Sequence, residues 1–229
     1  MTKRMKKRLS VGLLGFLYIF FWTGCKPTDE KFISEGTIEY AASVMDQSNP
    51  MASMAPSKMT VKFKNNLSSA EMSAGMGLFS TSFIADPQKK SLIQLVKLLN
   101  KKFSMVLNET DLKKENELFN LEIIPSKETK MIAGYKCEKA TVHYKTGNFP
   151  DFAIYYTRDL NIKNSNFANP FYMIDGVLME YQMTKFGLEM KFTATCVKKD
   201  DIDDSVFQLP SDYKQISKDE MNTMLLGLQ

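Results

Sequence analysis

Histidine is almost missing from this chain, since His143 is the only one among 229 residues. A histidine-rich metal cluster therefore cannot form, and a nucleophilic relay built on His143 would need an activated serine or cysteine in a strained turn, a motif the sequence lacks. No enzyme activity is expected on this reading, and no metal or other cofactor. Cysteine is scarce as well, at three residues: Cys25, Cys137 and Cys196. No stretch rich in proline, glycine or serine divides residues 35–215, so a second domain is not expected. No repeat of 20–50 residues recurs, which excludes solenoids and propellers. An excess of one charge is also missing. The formal charge is +4, but Lys3, Arg4, Lys6, Lys7 and Arg8 lie in a segment read below as cleaved, and the remaining 25 basic and 26 acidic residues give −1. That balance gives no basis for nucleic-acid binding.

Only one long apolar run is present. Residues 1–24 have a basic start, an uncharged and mostly apolar stretch from Val11 to Trp22, and the small residues Thr23 and Gly24 before Cys25, the pattern of an export signal. At about 1.5 Å per residue the apolar run makes a helix of roughly 18 Å, short of the roughly 30 Å hydrocarbon core, so a spanning helix is the weaker reading. Trp22-Thr23-Gly24-Cys25 resembles the lipobox of bacterial lipoproteins, although leucine is usual where Trp22 stands. The resemblance implies lipidation of Cys25, attachment to the membrane through an N-terminal lipid, and an outer-membrane place in a Gram-negative envelope, facing either the periplasm or the exterior. Residues 25–33 then read as the lipidated cysteine and a polar tether, and 34–229 as one domain.

Within that domain the dominant period is two, as in strands with one buried face. Met59, Val61 and Phe63 alternate with Lys58, Thr60, Lys62 and Lys64. Similar alternation marks strands around 38–42, 103–107, 119–123, 152–156, 177–183 and 188–194, with less regular candidates at 67–74, 77–85, 90–98 and 136–144. Turn residues such as Asn65-Asn66, Asp86-Pro87 and Asp175-Gly176 separate them. The fold class is thus mainly β, an antiparallel sheet of ten or eleven strands that must curl strongly or close. Helix is expected only briefly after Asp111 and at 217–229. There Ser217 and Glu220 form a capping box, Ile216 can staple against Met221, and Met221, Met224, Leu225 and Leu228 share a face.

In an up-and-down strand order Cys137 and Cys196 sit three strands apart, roughly 14 Å at 4.8 Å per step and beyond the ~7 Å Cα limit for a disulfide. Both read as inert thiols, with Cys196 on the buried face of its strand, and a disulfide between them, which an exported protein can hold, is the alternative. The sixteen methionines suit either an ordinary core or an adaptable binding surface. Apolar-face residues placed to line an interior cavity are Met59, Val61, Phe63, Met105, Met179, Tyr181, Met190 and Phe192, and the same residues would serve a solid core.

Three stretches, Ile132–Ala140, Ile174–Tyr181 and Val206–Ile216, together resemble an uncharacterised family of envelope lipoproteins grouped with the lipoprotein carriers LolA and LolB. The resemblance implies a LolA-like half-barrel and a non-catalytic lipoprotein holding a lipid or other apolar ligand. The other reading is an envelope structural or interaction protein with a filled core and no small-molecule ligand, its protein partner unknown.

Overall fold

Where apolar and polar side chains alternate, each strand offers one dry face to a neighbour, and the computed structural model pairs all such segments in one sheet. It describes residues 31–147, 149–185 and 187–226. The first half holds β1 (Glu35–Val44), β2 (Lys58–Lys64), β3 (Leu67–Ala74), β4 (Phe79–Asp86), β5 (Ser91–Leu98) and β6 (Lys101–Leu107). Helix α1 (Glu109–Glu117) follows. The second half holds β7 (Leu121–Ile132), β8 (Tyr135–Tyr144), β9 (Phe152–Thr157), β10 (Val177–Lys185) and β11 (Leu188–Lys198), then the short β12 (Lys214–Gln215) and helix α2 (Lys218–Leu226).

The chain is mainly β, and its twelve strands run in the order β12-β6-β5-β4-β3-β2-β1-β11-β10-β9-β8-β7. This corrects the simple up-and-down order. Two meanders, β1–β6 and β7–β11, are joined by antiparallel pairing of β1 with β11 (Ile38 opposite Val197, Tyr40 opposite Ala194, Ala42 opposite Phe192). Alternation reports which face of a strand is dry and says nothing about its neighbour. The jump from β6 to β7, which lie near opposite edges, is invisible to it. The edges β12 and β7 are not hydrogen-bonded to one another, so the sheet is open.

Gly36 sits where β1 passes β11, and a Cβ there would overlap the carbonyl oxygen of Lys198. Below that contact, Lys64 bridges Glu35 (3.2 Å) and Asp204 (2.9 Å), and Glu35 accepts a hydrogen bond from the Ile202 amide at 2.7 Å. The register between β7 and β8 shifts between Pro125 and Thr129, leaving Glu128 and Lys127 exposed on the edge strand.

One apolar face is covered by α1, α2 and the segment 158–176 that leads from β9 to β10. Met221 of α2 is fully buried with Met105, Leu107 and Leu112, and Ile216, Met224 and Leu225 pack against that cluster. The Ser217 hydroxyl accepts from the Glu220 amide at 3.2 Å, and the Glu220 carboxylate accepts from the Ser217 amide at 2.8 Å, the reciprocal cap expected there. The covering segment is held by Asn166, whose side-chain amide donates to the carbonyls of Ile174 (2.9 Å) and Gly176 (2.8 Å).

Cys137 is a free, buried thiol and so does not pair with Cys196, in keeping with three strand spacings between β8 and β11. Residues 1–30, and Cys25 with them, lie outside the described residues.

Gly36→Ala should lower stability by about 2 kcal/mol or more, because the new methyl meets backbone and not a movable side chain. Urea unfolding measures it. An unchanged midpoint would show that β1 and β11 can separate locally at no cost.

Candidate functional site

Of the eight residues placed at a cavity from sequence, Met59, Val61, Phe63, Tyr181 and Phe192 line one interior hollow of about 170 Å³ under the 158–176 segment. Met179 and Met190 are wholly buried in the neighbouring core, and Met105 belongs to the cluster beneath α2. The hollow's aromatic wall is ordered. Tyr181 stacks on Phe192 (centroids 5.1 Å apart, 22° between planes) and meets the edge of Tyr40 at 6.2 Å. The Tyr40 hydroxyl donates to the Leu178 carbonyl at 2.8 Å. Burial raises the pKa of both phenols, so each stays neutral across the physiological range and neither serves as a base. Burial likewise pushes the Cys137 thiol up to about 12, which removes it as a nucleophile.

Filling this hollow separates it from tightly packed core. Val61→Phe should change the melting temperature little, whereas Val96→Phe, at a side chain with no exposure, should cost about 1–3 kcal/mol by overpacking. Equal losses would show that the hollow cannot take a ring.

A second hollow, of about 410 Å³, opens beside α1. Asn108 starts the helix by accepting from the amides of Thr110 (2.9 Å) and Asp111 (3.1 Å). Leu112 then anchors it to the sheet, and Asn116, one turn on, faces the same side and is also buried. The Asn116 side-chain nitrogen donates to the Phe167 carbonyl at 3.4 Å, tying α1 to the covering segment. The cleft between them is lined by Lys90, Glu109, Lys113, Asn116, Glu117, Asn164, Phe167 and Tyr172. Lys90 pairs with Glu109 at 2.7 Å, and the Tyr172 ring is 54% exposed at the cleft wall.

Glu109 and Glu117 stand eight residues apart on one helix face, roughly 12 Å at 1.5 Å per residue. The wall offers hydrogen-bonding groups and one aromatic face, a surface for holding a polar ligand. Sequence reasoning missed it because α1 and the 158–176 segment are about fifty residues apart and become neighbours only through the fold. Neither stretch has a motif of its own. Among the described residues no group of three or more His, Cys, Asp or Glu side chains is placed to hold a metal, and His143 is an exposed side chain 2.6 Å from the Asp151 carboxylate.

Away from the cleft, Glu180 is the one buried carboxylate among the described residues. Burial by itself would raise its pKa, but hydrogen bonds from Lys130 (2.9 Å) and Lys191 (3.1 Å) outweigh this and lower it. A lowered folded-state pKa contributes stability that is complete above the ordinary glutamate value of about 4.3 and is lost as pH falls through the folded value. Glu180→Gln should flatten the fall in melting temperature on the acid side of that window. An identical acid profile in the variant would remove Glu180 from the account.

Comparison with curated proteins finds no match. A family model described as N-glycanase peptide, N-terminal domain, matches residues 38–218, from β1 to the first residue of α2. This overturns the resemblance to the LolA and LolB carriers and, with it, the lipid-binding lipoprotein role taken from that resemblance. The reason is visible in the fold. Ile132–Ala140 is the turn into β8, Ile174–Tyr181 the entry to β10, and Val206–Ile216 the approach to α2, all local turn grammar that unrelated antiparallel sheets reuse. The chain belongs to the family of N-glycanase peptide N-terminal domains.

Proposed function

We propose that this chain is a non-catalytic recognition module that holds the glycan of a glycoprotein or glycopeptide in the cleft between α1 and the 158–176 segment. One observation carries the reading. The cleft combines a half-exposed Tyr172 ring with Asn116, Asn164 and the Lys90–Glu109 pair around it. A sugar ring has an apolar face for the aromatic ring and hydroxyls that both donate to carboxylate and amide oxygens and accept from lysine and amide nitrogens. Membership of a family defined on an N-glycanase supports glycan chemistry over other polar ligands. That the matching family covers an N-terminal domain supports recognition over catalysis.

In this reading the open sheet bends as a half-barrel around the covering segment. The ion pair between Lys130 on β7 and Glu180 on β10, three strands away, supports such a bend. The basic-then-apolar start of the chain supports a site of action outside the cytoplasm.

The test is titration of the chain with an N-glycopeptide and with the same peptide lacking its glycan. Binding should require the glycan, and Tyr172→Ala should weaken it about tenfold, the loss of roughly 1.4 kcal/mol of ring contact. Mass spectrometry of the incubated glycopeptide should find it intact. Affinity indifferent to the glycan or to Tyr172→Ala would sink the recognition site, and a released glycan would sink the non-catalytic role.

A further inference from the structure

Two adjacent turns at one end of the sheet carry an apolar tip that neither the core nor the cleft uses. The β3–β4 connection runs through Gly75, Met76 and Gly77 to Leu78, and the β5–β6 connection is the two-residue turn Leu99-Asn100. The Leu99 amide donates to the Leu78 carbonyl at 2.7 Å, which ties the two turns together. Met76 is fully exposed (102%), and Leu78 and Leu99 are more than half exposed.

The backbone makes this arrangement unfavourable by itself. Met76 (φ 54°) and Leu99 (φ 56°) both adopt the left-handed conformation, in which glycine or asparagine is at ease and a large apolar residue is strained. Leu99 occupies the first position of a two-residue hairpin turn, where glycine is usual. Folding alone would select glycine at both places.

The two segments that form the tip carry charge of one sign. Residues 72–82 and 93–104 contain no aspartate or glutamate, and they contain Lys97, Lys101 and Lys102. Lys102 is paired with Asp212, while Lys97 and Lys101 have no carboxylate within ion-pair distance among the described residues. Three protruding apolar side chains form a patch far smaller than the roughly 800 Å² each partner buries in a stable protein interface. Shallow insertion between lipid headgroups needs only such a tip and a basic collar.

We propose that Met76, Leu78 and Leu99 dip into an anionic membrane surface, guided by Lys97 and Lys101. The contact is made by the rim of the domain with a bilayer. It is separate from the proposed glycan cleft, which the β3–β4 and β5–β6 turns do not border, and from any ligand held inside the fold.

The test uses the full chain with Leu78→Trp in a Trp22→Phe background, because Trp22 is the chain's single tryptophan. Emission should shift to the blue, and be quenched by lipids spin-labelled near the headgroup, on vesicles of phosphatidylcholine containing phosphatidylglycerol. Phosphatidylcholine alone should give neither response. Because the reporter sits on the tip, attachment through a lipid on Cys25 or through residues 1–24 does not by itself produce the signal.

Lys97→Glu with Lys101→Glu should reduce the quenched fraction at least about tenfold. Met76→Gly with Leu99→Gly should hold or raise the melting temperature, since glycine suits both backbones, while weakening insertion of the tip. Emission that is unchanged on both vesicle types, or that shifts equally on both, overturns the proposal. So does an undiminished response in the glycine variant, and a response restored only by an added acidic protein assigns the tip to a protein partner instead.

Discussion

The antiparallel pairing of β1 with β11 holds the rest of the molecule in place. Each of the two meanders can zip from hairpin to hairpin, but neither can bury its apolar face alone. Joining them brings Ile38, Tyr40 and Ala42 beside Phe192, Ala194 and Val197, residues about 150 positions apart. The inner hollow, the Tyr40–Tyr181–Phe192 stack and the seat of the 158–176 segment all follow from that seam. Gly36 is part of its cost, because the two backbones approach too closely for any side chain there.

The cleft beside α1 depends on the seam at one remove. The 158–176 segment leaves β9 and returns to β10, both in the second meander, whereas α1 is fixed by Leu112 to strands of the first. Only when the meanders share a sheet do Asn116 and Phe167 come within hydrogen-bonding distance. The cleft thus draws Lys90, Glu109 and Asn116 from the first meander and α1, and Asn164 and Tyr172 from the second meander.

Local features were legible in the sequence and global ones were not. Each expected strand from 38–42 to 188–194 is present because a half-buried strand must alternate, and the Ser217–Glu220 cap and its helix are present because the cap is written in four consecutive residues. Met105 shows where this stops. Its strand and face were readable, but whether that face met the hollow or α2 depended on strand order, which alternation does not encode. Cys196 is buried as the parity of its strand implies, because that property is local to the strand. The family was misassigned because the motifs chosen describe turns, and turns are common property of antiparallel folds. The cleft had no linear signature at all.

The edge strand β7 remains. An open sheet of twelve strands ends in two rows of unused backbone groups, and β7, twelve residues long, would be the more dangerous of them. Pro125, the register shift that follows it, and the exposed Lys127 and Glu128 interrupt that row near its middle. Proline and charged residues on an edge strand are the devices by which sheets discourage edge-to-edge pairing, and β7 carries both in its middle third.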